Sequence, residues 1–185
     1  SLSFRCFIFS TEVELLSNEI LMVNTTLRDL SLWLNSVNDA GVDFISKSIE
    51  RNSTLAKLDL GNNAISDKGV LRLSKMLQTN STLTSLNLKL NPITTIGVGY
   101  LTDALVSNTT LTSLNLPDAI NDIEEGRVAL QKLIQQNHNL IALTPSFPEN
   151  DAILTARKNA FNYFESFLKG TLTINLEIDV FSHCL

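Results

Sequence analysis

The sequence predicts an α/β solenoid. It reads as a short right-handed arc with a parallel β-sheet on its concave face, helices on its convex face and a cap at each end. Three observations predict this. The segment "NSTLAKLDLGNN" at 52–63 returns as "NTTLRDLSLWLN" at 24–35, "NSTLTSLNLKLN" at 80–91 and "NTTLTSLNLPDA" at 108–119, so Asn24, Asn52, Asn80 and Asn108 are each 28 residues apart. A fixed period of roughly 20–50 residues marks stacked units. The first half of each unit alternates apolar and polar residues, as a strand does, and the second half spaces its apolar residues four apart, as a helix does.

The N-terminal stretch, 1–23, continues the register backward as a cap. Leu2 and Phe4 fall where Leu30 and Leu32 stand one unit later, and "EVELLSNEILM" supplies the matching helix. Phe7 takes the place of a recurring Asn, which suits an end unit. Unit one then aligns Leu27, Leu30, Leu32, Asn35, Val37, Gly41, Ile45 and Ile49. Units two and three repeat the frame from Leu55 to Leu77 and from Leu83 to Leu105. In "KLDLG" (57–61), Leu58 and Leu60 point one way, and Lys57, Asp59 and Gly61 the other. In "SDKGVLRLSKMLQ" (66–78), Gly69, Leu73 and Leu77 form a helical stripe. One unit alone cannot bury both apolar faces, but stacked units can. Strands stack about 4.8 Å apart and helices roughly 8–10 Å apart, so the stack curves with its sheet inside.

Two asparagine positions recur. Asn35, Asn63 and Asn91 stand where the chain leaves the strand, where a buried amide must find partners, so they predict a ladder of bonds to neighbouring turns. Asn24, Asn52, Asn80 and Asn108 each head an Asn-x-Ser/Thr sequon. Their fixed place in the unit predicts a turn-stabilising role in preference to glycosylation.

Unit four keeps Leu111, Leu114 and Leu116, but "PDAINDIEEG" drops the ladder Asn and inserts one residue. Gly126, Leu130 and Ile134 keep the helix stripe, and a half unit offers Leu140 and Leu143 before Pro145. Residues 24–143 thus form four units and a half, and 144–185 a C-terminal cap of the same single domain. In that cap, 148–170 reads as a helix with Pro148 in its first turn, a stripe of Phe161, Phe164, Phe167 and Leu168, and Gly170 as a stop. "TLTINLEIDV" alternates as a half-buried strand. It folds onto the cap helix or covers the open end of the solenoid, or else adds to a partner's sheet edge.

The frame L-x-x-L-x-L-x-x-N-x-[IV]-x-x-x-G-x-x-x-L-x-x-x-L over 24–143 resembles the leucine-rich repeat. Its 28-residue length and helical second half resemble the ribonuclease-inhibitor subclass. The Asn- and Ser/Thr-rich units resemble those of bacterial effectors delivered into host cells. Residues 108–147 followed by "ARKNAFNYF" resemble the C-terminal domain of tropomodulin, an actin pointed-end cap. The general resemblance implies a concave surface that binds protein.

Bulk properties agree with a protein partner. Net charge is −5 with no Lys/Arg-rich run, which gives no footprint for nucleic acid or an anionic membrane. No apolar run approaches the roughly 18–20 residues of a membrane span. The start lacks a basic region and a cleavage site, so it does not read as a signal peptide, and it lacks Met, as at a processed terminus or the edge of a longer chain. Cys6 and Cys184 are too few and too far apart for a disulfide framework or a metal site. They read as reduced thiols of a cytoplasmic protein, in the host cytosol for a translocated effector. His183 neighbours Cys184 and would face away from it on a strand, and His138 lies in the last turn. There is no phosphate-binding loop or zinc motif. The expectation is no enzyme, no cofactor and no metal.

Specificity must then lie in positions that the frame leaves open. On the concave strands these are Arg5, Asp29, Ser31, Trp33, Lys57, Asp59, Asn87, Lys89 and Asn115, and at the rim Leu34, Asn62, Leu90 and Asp118. Strand parity points Trp33, the one tryptophan, outward as an anchor, and Trp and Arg are enriched at interface hot spots. The competing reading packs it as a lid over Leu34 or the N-terminal cap. Six strands span roughly 25–30 Å, enough for an interface of about 800 Å² per side. The expected function is a protein-binding inhibitor or adaptor, monomeric when free, whose partner could be an enzyme. The alternative is actin pointed-end binding. A GTPase activator on this frame ranks last, because such proteins typically carry an acidic tail and "FSHCL" is not one.

Overall fold

The computed structural model describes residues 1–3, 10–145 and 148–168. Strands β1 (Leu2–Ser3), β2 (Asp29–Ser31), β3 (Lys57–Asp59), β4 (Ser85–Asn87), β5 (Ser113–Asn115) and β6 (Ala142–Thr144) form one parallel sheet in chain order. Each strand is three residues or fewer, yet pairing runs on beyond it. Leu32 N–H donates to the Asp59 carbonyl and Asn62 N–H to that of Lys89. Register places Leu30, Leu58, Leu86, Leu114 and Leu143 side by side, all buried.

Helices α1 (Ser10–Leu15), α2 (Asp39–Ile49), α3 (Asp67–Thr79), α4 (Thr95–Leu105) and α5 (Glu124–Gln136) stack in order behind the sheet, and α1 continues as a π-helical turn, Leu16–Leu21. Ile45, Leu73, Leu101 and Leu130 project from them into the core, where Leu32, Leu60, Leu88 and Leu116 meet them, all fully buried. Each unit crosses from strand to helix and back, so the apolar alternation of one and the four-residue stripe of the other close on a single layer of core.

Both expected asparagine positions form ladders. Asn91 donates Nδ2–H to the carbonyls of Leu60 (2.9 Å), one unit back, and Leu88 (3.0 Å), while its Oδ1 accepts from Ile65 N–H (3.1 Å). Asn63 does the same with Leu32 and Leu60 and with Val37 N–H. On the opposite edge Asn80 Nδ2 donates to the carbonyls of Ile49 (2.9 Å) and Asn52 (3.3 Å), and Oδ1 accepts from Thr82 and Leu83 N–H (3.0 and 2.8 Å). Asn52, Asn108 and Asn137 repeat that arrangement one unit earlier or later. Of the four sequon asparagines, Asn52, Asn80 and Asn108 are buried with Nδ2 committed to backbone carbonyls, and Asn24 is half-buried.

A third ladder was not anticipated. The Asp39 carboxylate accepts from Ser66 N–H (2.8 Å), Ser66 Oγ–H (2.6 Å) and Gly69 N–H (3.0 Å), so it caps the helix of the next unit. Asp67 does likewise for Thr94 and Gly97. A Cβ at Gly69 or Gly97 would lie 2.6 or 2.5 Å from the capping oxygen, which explains the recurring glycine. In the next unit Thr95 replaces the aspartate, and a 3-10 turn, Asp118–Asp122, leads into α5 with no side-chain cap.

The last helix, α6 (Pro148–Leu168), docks through buried Leu154 and Arg157. Arg157 donates to the carbonyls of Ile134 (2.9 Å), Asn137 (2.7 Å) and Leu140 (3.3 Å). The first two are the acceptors that the next asparagine of the ladder would have used. Burial lowers the Arg157 pKa from its ordinary value. Phe161 of the expected stripe is 44% exposed. The side chains of Phe164, Phe167 and Leu168 lie outside the described residues, as do Phe4, Arg5, Cys6, Phe7, Gly170, the strand expected at 171–180, His183 and Cys184.

Candidate functional site

The face of the sheet turned away from the helices gathers the expected columns. Asp29, Ser31, Trp33, Asp59, Asn87, Lys89 and Asn115 are half-buried there and Lys57 is exposed. Several of these side chains are already partnered. The Asp59 carboxylate accepts from Asn87 Nδ2–H (2.8 Å), Gly61 N–H (3.0 Å) and Ser31 Oγ–H (3.3 Å). Thr144 Oγ–H donates to Asn115 Oδ1 (2.9 Å). Lys57 reaches Asp29 at 3.9 Å, and Lys89 pairs with Asp118 at 3.3 Å. Asp59 thus ties three strands through one carboxylate. Around it opens a shallow depression of about 290 Å³ that spans β1 to β4.

Trp33 is half-buried on this face. Its ring lies over Gly61, close enough that a Cβ there would run into it. Gly61, having no side chain, leaves the space that the indole occupies. The pairing was invisible in sequence because the two residues are one unit apart and belong to the same variable column.

The rim has its own geometry. Leu34, Asn62 and Leu90 have φ of 57°, 52° and 56°, in the left-handed region. Asp118, the fourth rim position, instead opens the 3-10 turn. Leu34 and Leu90 are 42% and 58% exposed. Among the described residues no His, Cys, Asp and Glu side chains cluster as a metal ion would require, and no helix is long and apolar enough to cross a membrane.

Residues 23–46, 51–74 and 79–101 match the leucine-rich repeat family model. Over those residues the chain is built of leucine-rich repeats. Solved leucine-rich-repeat structures share its architecture. Actin-binding site 2 of leiomodin-1 superimposes with a TM-score of 0.72 at 22% identity, over 89% of this chain and 97% of that one. The tropomodulin C-terminal domain of Caenorhabditis elegans gives 0.67 at 16% identity, over 89% and 99%. At these identities the likeness is one of fold. No curated protein matches the sequence.

Proposed function

We propose that this leucine-rich-repeat chain is a protein-binding module that engages its partner through the concave strands and the adjoining rim, and that it acts by occluding or scaffolding that partner. The observation that carries the reading is the seating of Trp33 on Gly61 beside the Asp59 hub. An aromatic surface and a polar surface are held in fixed orientation on a stiff sheet, where the repeat itself requires neither. A preorganised surface loses little freedom on association, which favours affinity. The double variant Trp33→Ala, Lys89→Glu tests it. Affinity capture from cell extract should lose partners that the native chain retains, and an unchanged set would sink the concave-face reading.

A second reading is binding to actin. One observation favours it: the likeness takes in almost the whole of two domains, one of them described as an actin-binding site, including the region of the terminal helix. Co-sedimentation with filamentous actin and a pointed-end elongation assay test it directly. No co-sedimentation and unaltered elongation at micromolar protein would remove it.

A further inference from the structure

We propose that Leu34 and Leu90 are apolar anchors for a basic amphipathic helix of the partner, laid across the strand ends along the rim. This rests on the protein-binding reading above and names the chemistry of the partner.

The argument starts from the backbone. A left-handed φ brings Cβ of an L-residue against its own carbonyl, so glycine is preferred and asparagine tolerated. Asn62 obeys that preference, whereas Leu34 and Leu90 occupy the same conformation with a branched aliphatic side chain. Burial offsets only part of that cost, since Leu34 stays 42% and Leu90 58% exposed. Neither the backbone nor the core therefore favours leucine. An unfavourable backbone conformation held at a surface points to function.

Spacing selects the ligand. The two residues lie two strands apart, which at about 4.8 Å per strand is roughly 10 Å. Residues i and i+7 of an α-helix are about 10.5 Å apart on one face. Asn62 sits between them, half-buried, and faces the intervening polar position. Charge selects the sign. One strand beyond Leu90 the rim position is Asp118, and Asp122, Glu124 and Glu125 follow it through the 3-10 turn into the start of α5, all exposed. Two cations there are engaged, Lys89 with Asp118 (3.3 Å) and Arg127 with Glu124 (2.5 Å). A helix with leucines at i and i+7, polar residues at i+3 and i+4 and lysines beyond them complements both features.

The test uses the full chain and a synthetic 18-residue peptide of that pattern. Controls are a scrambled peptide of equal composition and one with glutamate for lysine. Trp33, the one tryptophan, lies next to Leu34 and reports binding by fluorescence, with calorimetry as a second measure. The native chain should bind the patterned peptide saturably, and both controls at least tenfold more weakly. Leu34→Asn, Leu90→Asn should weaken binding at least tenfold while its Tm equals or exceeds that of the native chain. Equal binding by the variant, no binding by the native chain, equal binding of the scrambled peptide or a lowered Tm would each overturn the proposal. So would a leucine-dependent dimer in sedimentation velocity, which would make a second copy the occupant. Partner capture lost on Trp33→Ala, Lys89→Glu but retained by the leucine variant would remove the helix on the rim and leave the protein-binding reading standing.

Discussion

Asn80 shows how much one amide carries. It donates to the carbonyls of Ile49 and Asn52, about one period back, and accepts from two N–H groups of its own turn. Alanine would leave several buried backbone groups unpaired, so Asn80→Ala should cost about 2–4 kcal/mol. Asn24 holds the same place in the first unit but, among the described residues, accepts only local bonds from Thr26 and Leu27. Asn24→Ala should therefore cost about 1 kcal/mol. Urea denaturation midpoints of the two variants decide, and equal losses would contradict the inter-unit account. Gly61 makes a complementary case. Gly61→Ala drives a methyl into the Trp33 ring, an overpacking expected to cost about 1–3 kcal/mol. Adding Trp33→Ala should recover part of the loss, because the indole that clashes is gone. The polar and apolar roles of the recurring letters were legible one unit at a time. The glycine that seats an indole was not, since its reason lies on the neighbouring strand.

Elements are tied end to end by side chains of the next or previous unit. Asp67 caps α4 from α3 through three hydrogen bonds. Asp67→Ala should cost about 1–2 kcal/mol, the range for losing an N-cap, and should loosen the start of α4 rather than α3. Amide exchange at Thr94 to Gly97 measures that asymmetry. Arg157 closes the other edge by taking the carbonyls that a further asparagine would have taken. Arg157→Ala strands these acceptors, so α6 should undock and exchange in Asn137–Thr144 should rise, while α2 and α3 stay protected. A single arginine inside a helix with several charged neighbours gave no sequence signal for this. The signal is the pattern of vacant carbonyls, which exists only once the stack is built. Surface pairs such as Asp43 with Lys47 and Arg72 add little, being exposed and screened.

At the scale of the molecule, each unit touches chiefly its neighbours: α2 packs on α3, α3 on α4, and α4 on α5. Stability in such an array is close to a sum of unit and interface terms, and the ends fray first. Amide protection should peak in α3, β4 and α4 and fall toward both caps. A uniform profile would show a more cooperative molecule than the nearest-neighbour contacts imply. The same geometry decides what faces a partner. Strand parity turns every second residue of the strands outward and leaves the rim to the left-handed turns, so binding positions repeat at the spacing of the strands.

The sequence by itself determined the solenoid, the order of its strands, the buried leucines and the ladder of Asn63 and Asn91, because a strict period forces equivalent residues into equivalent surroundings. Only the tertiary structure decided which variable residues are free and which are already engaged. Asp59 is held by Ser31, Asn87 and Gly61, Trp33 rests on Gly61, and Leu34 and Leu90 stand exposed in a conformation that disfavours them. The physical reason is that the repeat fixes what each unit does for itself. What one unit does to the next depends on the residues that differ between them, and those contacts are set across the sheet and not along the chain.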